Sequence, residues 1–262
     1  MAGMFRRCLT GSWALMMGLV SLSAGLGGCG AGNPHPVGSY DRGVFFAEQG
    51  KDTEAVAALE SFIRSHPTDS LTAEAQYLKG MSYMEMEEYP LAAVEFQILR
   101  KDYPISDRVE DALYQEGVAY LSQVGRIERD ITGAYEARLH FLKFSRDFPN
   151  SVHMPLVVEH MARISDLMVR KRLEQVKVYR QLRRHEAVAI LLDGILADEA
   201  GSTLIPQVLW ERAKTAKTLK DPTTAARMHQ RLVAEFPDTR FGRRAAKALE
   251  GRDDMESIED GD

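Results

Sequence analysis

Small, aromatic and aliphatic residues recur at helical spacing between Gln76 and Pro104, and polar residues fill most positions between them. Gly80 and Ala92 are small, which allows two helix backbones to approach closely where they cross. The bulky side chain of Phe96 fills the space beside that crossing. A proline cannot continue a helix, so Pro104 ends the second one. The pattern predicts two antiparallel helices within about 34 residues.

The same set of residue types recurs along the chain. One copy lies 37 residues upstream and carries Gly43, Phe46, Ala55, Leu59, Phe62 and Pro67. A third copy, with about eight residues inserted between its helices, carries Gly117, Tyr120, Ala137, Phe141, Phe144 and Pro149. The last copy carries Trp210, Ala213, Ala216, Ala225, Leu232 and Pro237. A degenerate unit of roughly Ile164 to Ala200, with Tyr179 and Ala187, lies between the third and last copies.

This period is typical of tetratricopeptide units. One hairpin cannot bury its own apolar faces, so neighbouring copies must stack on one another. We therefore predict an all-α superhelical array of about five tetratricopeptide-like hairpins over residues 39–249.

The insertion in the third unit, Ser122 to Thr132, is open to two interpretations. It is either a longer solvated loop between two helices or a surface element that contacts a partner. Irregular loops of repeat arrays tend to lie on one binding face.

The N-terminal segment, residues 1–28, has the organisation of a signal peptide. Arg6 and Arg7 precede an apolar run, Trp13 to Leu22, that is too short for a membrane-spanning anchor. Leu-Gly-Gly then precedes Cys29 and looks like a bacterial lipobox, which predicts lipidation of Cys29. The alternative is an ordinary secretory signal with a chance cysteine. Residues 29–38 are predicted to form a flexible tether.

Cysteine content and net charge reduce the number of functions that the sequence supports. The other cysteine, Cys8, lies in the signal segment, so the mature chain would have no disulfide. Removal of two arginines with the signal changes the formal charge from −5 to about −7, with 31 basic against 38 acidic side chains. An acidic balance argues against a role in nucleic-acid binding.

Two basic clusters are candidate docking surfaces for an acidic partner, although each is also consistent with a solvated helix face. The first is a stripe at two-turn spacing on one helix side, formed by Arg170, Lys177 and Arg184. The second lies on the closing helix and includes Arg240, Arg243 and Arg244. After Leu249 the chain becomes acidic with few apolar residues, which predicts a disordered tail over 250–262.

Signatures of catalysis are missing from the sequence. The seven histidines do not take metal-ligand spacing, and there is no phosphate-binding loop, nucleophile elbow or kinase signature. We therefore expect no cofactor, no metal site and no enzymatic activity.

The combination of lipobox, repeats and insertion resembles the BamD family of outer membrane protein assembly lipoproteins. The resemblance covers roughly residues 29–249 and rests on the hairpin ends at 65–70, 101–106, 147–154 and 234–239, on the insertion with 129–137, and on the segment from Ile164 through 173–180. The fourth unit departs from the pattern, because residues 198–203 read D-E-A-G-S-T where a proline is expected.

The resemblance implies a non-catalytic scaffold anchored by lipid at the periplasmic face of the outer membrane. Its partners would be the central barrel protein of the β-barrel assembly machinery, docked on the C-terminal units, and unfolded outer membrane proteins, received by the N-terminal units. Aromatic residues on the first helices suit an extended apolar peptide. The groove candidates are Tyr40, Phe45, Tyr77 and Tyr114, whereas Phe46, Tyr83 and Tyr120 are expected in the core.

Two other functions remain open on the sequence. A periplasmic tetratricopeptide lipoprotein could instead serve cell-envelope coordination or polymer export. A peptidoglycan-active enzyme would need a polar cleft with a perturbed carboxylate, which the sequence does not locate.

Overall fold

The computed structural model describes residues 33–125 and 130–259, with side chains described as far as Gly251. The chain divides into two units, Met1–Pro34 and His35–Asp262. Only Asn33 and Pro34 of the first unit are described. The predicted signal peptide over 1–28 and the predicted lipidation of Cys29 therefore lie outside the described residues, as does part of the predicted tether.

All regular structure in these two ranges is helical. The helices are α1 (Tyr40–Glu48), α2 (Asp52–Ser65), α3 (Thr72–Glu85), α4 (Tyr89–Asp102), α5 (Val109–Ser122), α6 (Thr132–Asp147), α7 (Met154–Gln181), α8 (His185–Asp198), α9 (Ile205–Thr218), α10 (Pro222–Glu235) and α11 (Arg240–Glu259). Together α1 to α10 form five successive hairpins, followed by α11. The prediction of an all-α array of about five hairpins is confirmed.

Each helix packs against the next one along the chain. The first helix of a hairpin consequently lies between two second helices: α3 between α2 and α4, α5 between α4 and α6, and α9 between α8 and α10. This arrangement buries two faces of each of these first helices. It explains why one hairpin alone would leave apolar surface exposed.

Glycines mark the crossing points in the first three hairpins. A Cβ atom at any of them would come within 2.8 Å of a buried side chain on the second helix of the same hairpin. The pairs are Gly43 with Leu59, Gly80 with Phe96, and Gly117 with Phe141. The first two pairs are separated by 16 residues and the third by 24, so the third hairpin contains the predicted insertion of eight residues.

The tight turns within four hairpins share one backbone geometry. Gly50, Glu87, Arg183 and Lys220 occupy equivalent positions, and each has a φ between 56° and 66°. The following amide donates to a carbonyl near the end of the first helix, as from Glu88 to Tyr83 O at 2.9 Å. Glycine adopts this left-handed conformation freely, whereas the other three residues are strained there.

The fourth hairpin differs from the sequence prediction. Its first helix does not begin near Ile164, because α7 runs unbroken for 28 residues from Met154, twice the 14 residues of α8 and α9. The buried residue at the position expected for Ala187 is Val188. In place of the missing proline, the Asp166 carboxylate accepts hydrogen bonds from Ser202 and Thr203 and holds the turn into α9.

The two halves of α7 belong to different parts of the core. Val157, Ile164 and Met168 pack with residues of α5 and α6, whereas Val169 and Val176 pack with residues of α8 and α9. One continuous helix therefore joins the first three hairpins to the remaining two.

At the C-terminus, α11 continues to Glu259, beyond the boundary predicted at Leu249. The side chains from residue 252 onwards lie outside the described residues, so the disordered acidic tail over 250–262 stays a prediction. No helix in the described ranges has the length and apolar character needed to cross a membrane.

Candidate interaction site

A pocket of about 980 Å³ opens between the first three hairpins. Tyr40 of α1 forms one wall. Residues 69–71 form a second wall with Ala73 and Glu74 at the start of α3, and residues 102–108, from the end of α4 to the start of α5, form the third. Two apolar side chains of these turns face solvent: Ile105 is 97% exposed and Leu71 is 43% exposed. The edge of the pocket is therefore partly apolar, and the connections between consecutive hairpins form most of it.

Arg108 is the one basic residue among the described residues that line this pocket, where four acids also lie: Asp69, Glu74, Asp102 and Asp107. Its guanidinium donates to both Glu74 and Asp111, and its Cζ lies 4.9 Å from the centroid of the Tyr77 ring. The hydrogen bonds to Glu74 hold the pKa of Arg108 above its ordinary value. Burial alone would raise the pKa of Asp111, but hydrogen bonds from His153 and Arg108 hold it below its ordinary value.

The same contact recurs one hairpin later. Arg108 immediately precedes α5 and binds Glu74 in the first turn of α3, and His153 immediately precedes α7 and binds Asp111 in the first turn of α5, at 2.9 Å. Glu74 and Asp111 are 37 residues apart, and Arg108 and His153 are 45 apart. The repeat spacing contained the signal for this pair of contacts, although the sequence reasoning did not use it.

The four predicted groove aromatics do not come together. Tyr40 lines the pocket, and Tyr77 lies behind Arg108, with its ring 5.7 Å from Phe96. Phe45 packs edge-on against His35 at 5.8 Å and is not part of the pocket lining. Burial raises the pKa values of both Tyr40 and Tyr77 above their ordinary value.

Tyr114 is a correction to the sequence prediction. It is only 7% exposed, and its ring stacks on His153 at 4.5 Å while its hydroxyl lies 3.2 Å from His160 Nε2. The start of α7 covers this position in the third hairpin, so Tyr114 offers no surface to a peptide. Its burial raises the pKa of the hydroxyl.

A buried carboxylate lies at the contact between the second and third hairpins. The Glu116 side chain is 1% exposed and pairs with Arg100 of α4. Burial raises the pKa of Glu116, although the charge and hydrogen bond of Arg100 act in the opposite direction. His140 Nδ1 lies 3.5 Å from Glu116 Oε2, and burial, with the charges of Arg100 and Lys143, lowers the pKa of His140 to about 4.

This perturbed carboxylate does not make a catalytic site. Glu116 is fully buried and its carboxylate is paired with Arg100, so it is not exposed to a substrate in solution. Nor do the described residues contain a group of three or more histidine, cysteine, aspartate or glutamate side chains placed to hold a metal ion. The arrangement suits a structural link between hairpins.

Comparison with known proteins decides the family. The model of the YfiO family, described as an outer membrane lipoprotein, matches residues 40–202, which are 163 of the 262 residues. The chain belongs to the YfiO family. The pocket and the buried Arg100–Glu116 pair lie inside the matched range, whereas α9, α10 and α11 lie beyond it.

Other comparisons add little to the YfiO assignment. No curated protein matches the chain. Among solved structures, a thermophilic tetratricopeptide protein from Thermus thermophilus is 19% identical, with coverage of 79% of this chain and 95% of that chain and a TM-score of 0.34. In this YfiO family member, the hairpin array is recognised from the glycines at the helix crossings and from the turns of positive φ described above.

The first basic cluster of the YfiO protein is exposed on α7. Arg170 and Lys177 line a pocket of about 360 Å³ between α7 and α9, and Lys177 also pairs with Glu174 at 2.6 Å. Arg184 follows the end of α7 and is exposed. Arg180, on the same side, pairs with Glu211 of α9 at 2.7 Å.

The second basic cluster makes contacts within the protein. The Arg244 guanidinium lies 5.0 Å from the centroid of the Trp210 ring, and that of Arg240 lies 4.5 Å from the Phe241 ring. Arg243 donates to the carbonyl of Asp238. These contacts fasten α11 onto the last hairpin, and the docking role of the arginines stays a prediction.

Proposed function

We propose that this protein is a non-catalytic, lipid-anchored scaffold of the outer membrane β-barrel assembly machinery, equivalent to BamD. Its membership of an outer membrane lipoprotein family carries the proposal, because it links the hairpin array to the outer membrane. The lipobox-like sequence at Cys29 supports the same location. Hairpin arrays of this kind bind other proteins through extended surfaces.

In this proposal the N-terminal pocket receives an extended apolar segment of an unfolded barrel protein. Ile105, Leu71 and Tyr40 provide apolar contacts beside Arg108, which Glu74 and Asp111 hold in place. Such a site holds apolar side chains while the peptide backbone stays hydrated. The C-terminal hairpins would dock on the central barrel protein.

Depletion of the protein in its native host tests the assembly role. Outer membrane porins should decrease, because a barrel protein that is not assembled does not accumulate in the membrane. Purification in mild detergent through the C-terminus should recover the central barrel protein. Unchanged porins, with recovery of export or peptidoglycan proteins instead, would assign the scaffold to envelope coordination or polymer export.

Two substitutions test the lipid anchor and the peptide-binding pocket. Cys29→Ser should release the protein from membranes if Cys29 carries the lipid. Ile105→Glu should weaken binding of a synthetic peptide copied from the C-terminal strand of a porin by about fivefold to tenfold, or roughly 1–1.4 kcal/mol. Val152→Glu is the matched control, because Val152 is also largely solvent-exposed, in the turn of the next hairpin. Equal loss in both variants would exclude the pocket.

A further inference from the structure

In the part of the chain that the structure describes, no helix packs on one apolar face of the C-terminal half of α7, the face that carries Val178 and Leu182. Val178 is 54% exposed and Leu182, which directly follows α7, is 63% exposed, with Tyr179 beside them. Val178 and Leu182 are four residues apart and therefore share one side of the helix. Val176, two positions before Val178, is buried against α8, so the exposed side points away from α8.

The length of α7 explains why this face is free. The first helices α3, α5 and α9 each lie between the second helix of their own hairpin and that of the preceding hairpin. In α7 the buried residues that share a core with the preceding second helix, α6, are Val157, Ile164 and Met168, and they reach only the middle of α7. The second helix of its own hairpin, α8, packs on the C-terminal half. The C-terminal half therefore lacks the neighbour that α6 provides to the N-terminal half.

The position of the start of α6 agrees with this description. Arg138 of α6 donates to Ser165 of α7 at 3.4 Å, and α6 begins six residues before Arg138, at Thr132. The beginning of α6 is thus level with the middle of α7. Beyond that level, the side of α7 that carries Val178 and Leu182 continues for about two further turns without a packed second helix.

Charge indicates what kind of helix would fit there. Between Met168 and Arg184 the chain has seven basic residues and a single acid, Glu174. Three of the basic residues, Arg172, Lys177 and Arg180, pair with Asp198, Glu174 and Glu211. Arg183 and Arg184 follow Leu182 directly and are both exposed. The apolar face is therefore bordered by positive charge.

We propose that the C-terminal half of α7 accepts an amphipathic α-helix of a partner protein, with acidic residues flanking its apolar stripe. That helix takes the place of the second helix that the array lacks at this level. Its apolar stripe covers Val178, Tyr179 and Leu182, and its acidic flank faces Arg183 and Arg184. Helix-in-groove binding of this kind uses apolar anchors at i, i+3, i+4 and i+7. The inference is independent of the assembly role proposed above.

Binding of a designed peptide tests the proposal. The probe is a labelled alanine-based peptide with leucines at i, i+3, i+4 and i+7 and glutamates on both flanks; its control has lysine at every glutamate. Full-length protein in mild detergent should bind the acidic peptide and increase its helical circular dichroism. The lysine peptide should bind at least about tenfold more weakly, and added salt should weaken binding of the acidic peptide.

Variants of the protein locate the binding face. Val178→Glu/Leu182→Glu should weaken binding of the acidic peptide about tenfold or more. Ile190→Glu should not, because Ile190 is 72% exposed on the side of α8 opposite its buried face. All three positions are exposed, so the variants should fold, which unchanged thermal melting would verify.

Several results would overturn the proposal. The first is that the protein does not bind the acidic peptide, and the second is that it binds the lysine peptide equally well. The third is that the acidic peptide binds without becoming more helical, and the fourth is that Val178→Glu/Leu182→Glu leaves its binding unchanged. A fifth is dimerisation of the protein in sedimentation that the same double variant abolishes, because the face would then belong to a second copy of the chain.

Discussion

Replacement of Gly80 by alanine tests the crossing of α3 and α4. An ideal Cβ at Gly80 lies 2.6 Å from Cε1 and 2.9 Å from Cζ of Phe96, well inside the carbon–carbon optimum of about 3.5–4.0 Å. Phe96 is fully buried among Ala92, Leu99 and neighbouring side chains. The Phe96 ring or the two helices must therefore shift to make room for the added methyl group.

Two opposing effects set the magnitude. Alanine is a better helix former than glycine by about 1 kcal/mol, and overpacking of a dense core costs about 1–3 kcal/mol. The free energy of unfolding of Gly80→Ala should therefore fall by about 0–2 kcal/mol. Gly194 of α8 is the matched control, because a Cβ there meets nothing within 4 Å. Gly194→Ala should stabilise the protein by about 1 kcal/mol.

Urea unfolding followed by circular dichroism measures the difference between the two variants. The Gly80→Ala midpoint should lie below the wild-type midpoint, and that of Gly194→Ala above it. Phe96→Leu should cost less stability in the Gly80→Ala background than in the wild type, because the smaller side chain relieves the overlap. If both alanine variants stabilise the protein equally, the close crossing at Gly80 does not exist.

Three further predictions use the same unfolding assay. Arg100→Ala should lower the free energy of unfolding by about 3–5 kcal/mol, because it leaves the charge of Glu116 buried without its partner. Adding Glu116→Gln to this variant should recover part of the loss, and no recovery would contradict the ion pair. Burial lowers the pKa of His140 to about 4, so the folded state binds this proton less readily than the unfolded state, and stability should fall as pH drops from about 6.5 to about 4. His140→Phe should reduce that fall, and an unchanged pH profile would place its origin elsewhere. Glu87→Gly should stabilise by up to about 1 kcal/mol because φ at Glu87 is 58°, whereas destabilisation would contradict the left-handed turn.

The repeat spacing predicted the fold because the crossing residues are set by local geometry. Gly43, Gly80 and Gly117 are small for the same reason in three hairpins, and their constant separation of 37 residues is visible in the sequence. The insertion was found in the same way. The alignment of the fourth hairpin with the repeat was harder to predict. Val188 is the buried residue where an alanine was expected, and hydrogen bonds to Asp166, instead of a proline, hold the turn that follows α8.

The candidate site was less predictable because its residues lie in turns and its aromatic side chains contact residues of several other elements. Consensus spacing placed Tyr114 outside the core, but α7 closes over it through His153 and His160. Ile105 and Arg108 belong to a turn, where periodicity gives no information on exposure. The sequence did contain a sign of the long α7, because no proline or glycine occurs between residues 156 and 181.

The unbroken α7 has a mechanical consequence. A helix of 28 residues is about 42 Å long, so a tilt of about 10° at its fixed N-terminal end displaces the other end by about 7 Å. The N-terminal end is held by the third hairpin, and the far end carries α8 and the exposed basic residues. A small angular adjustment near Tyr114 and His153 is therefore magnified, as by a lever arm, where α7 ends.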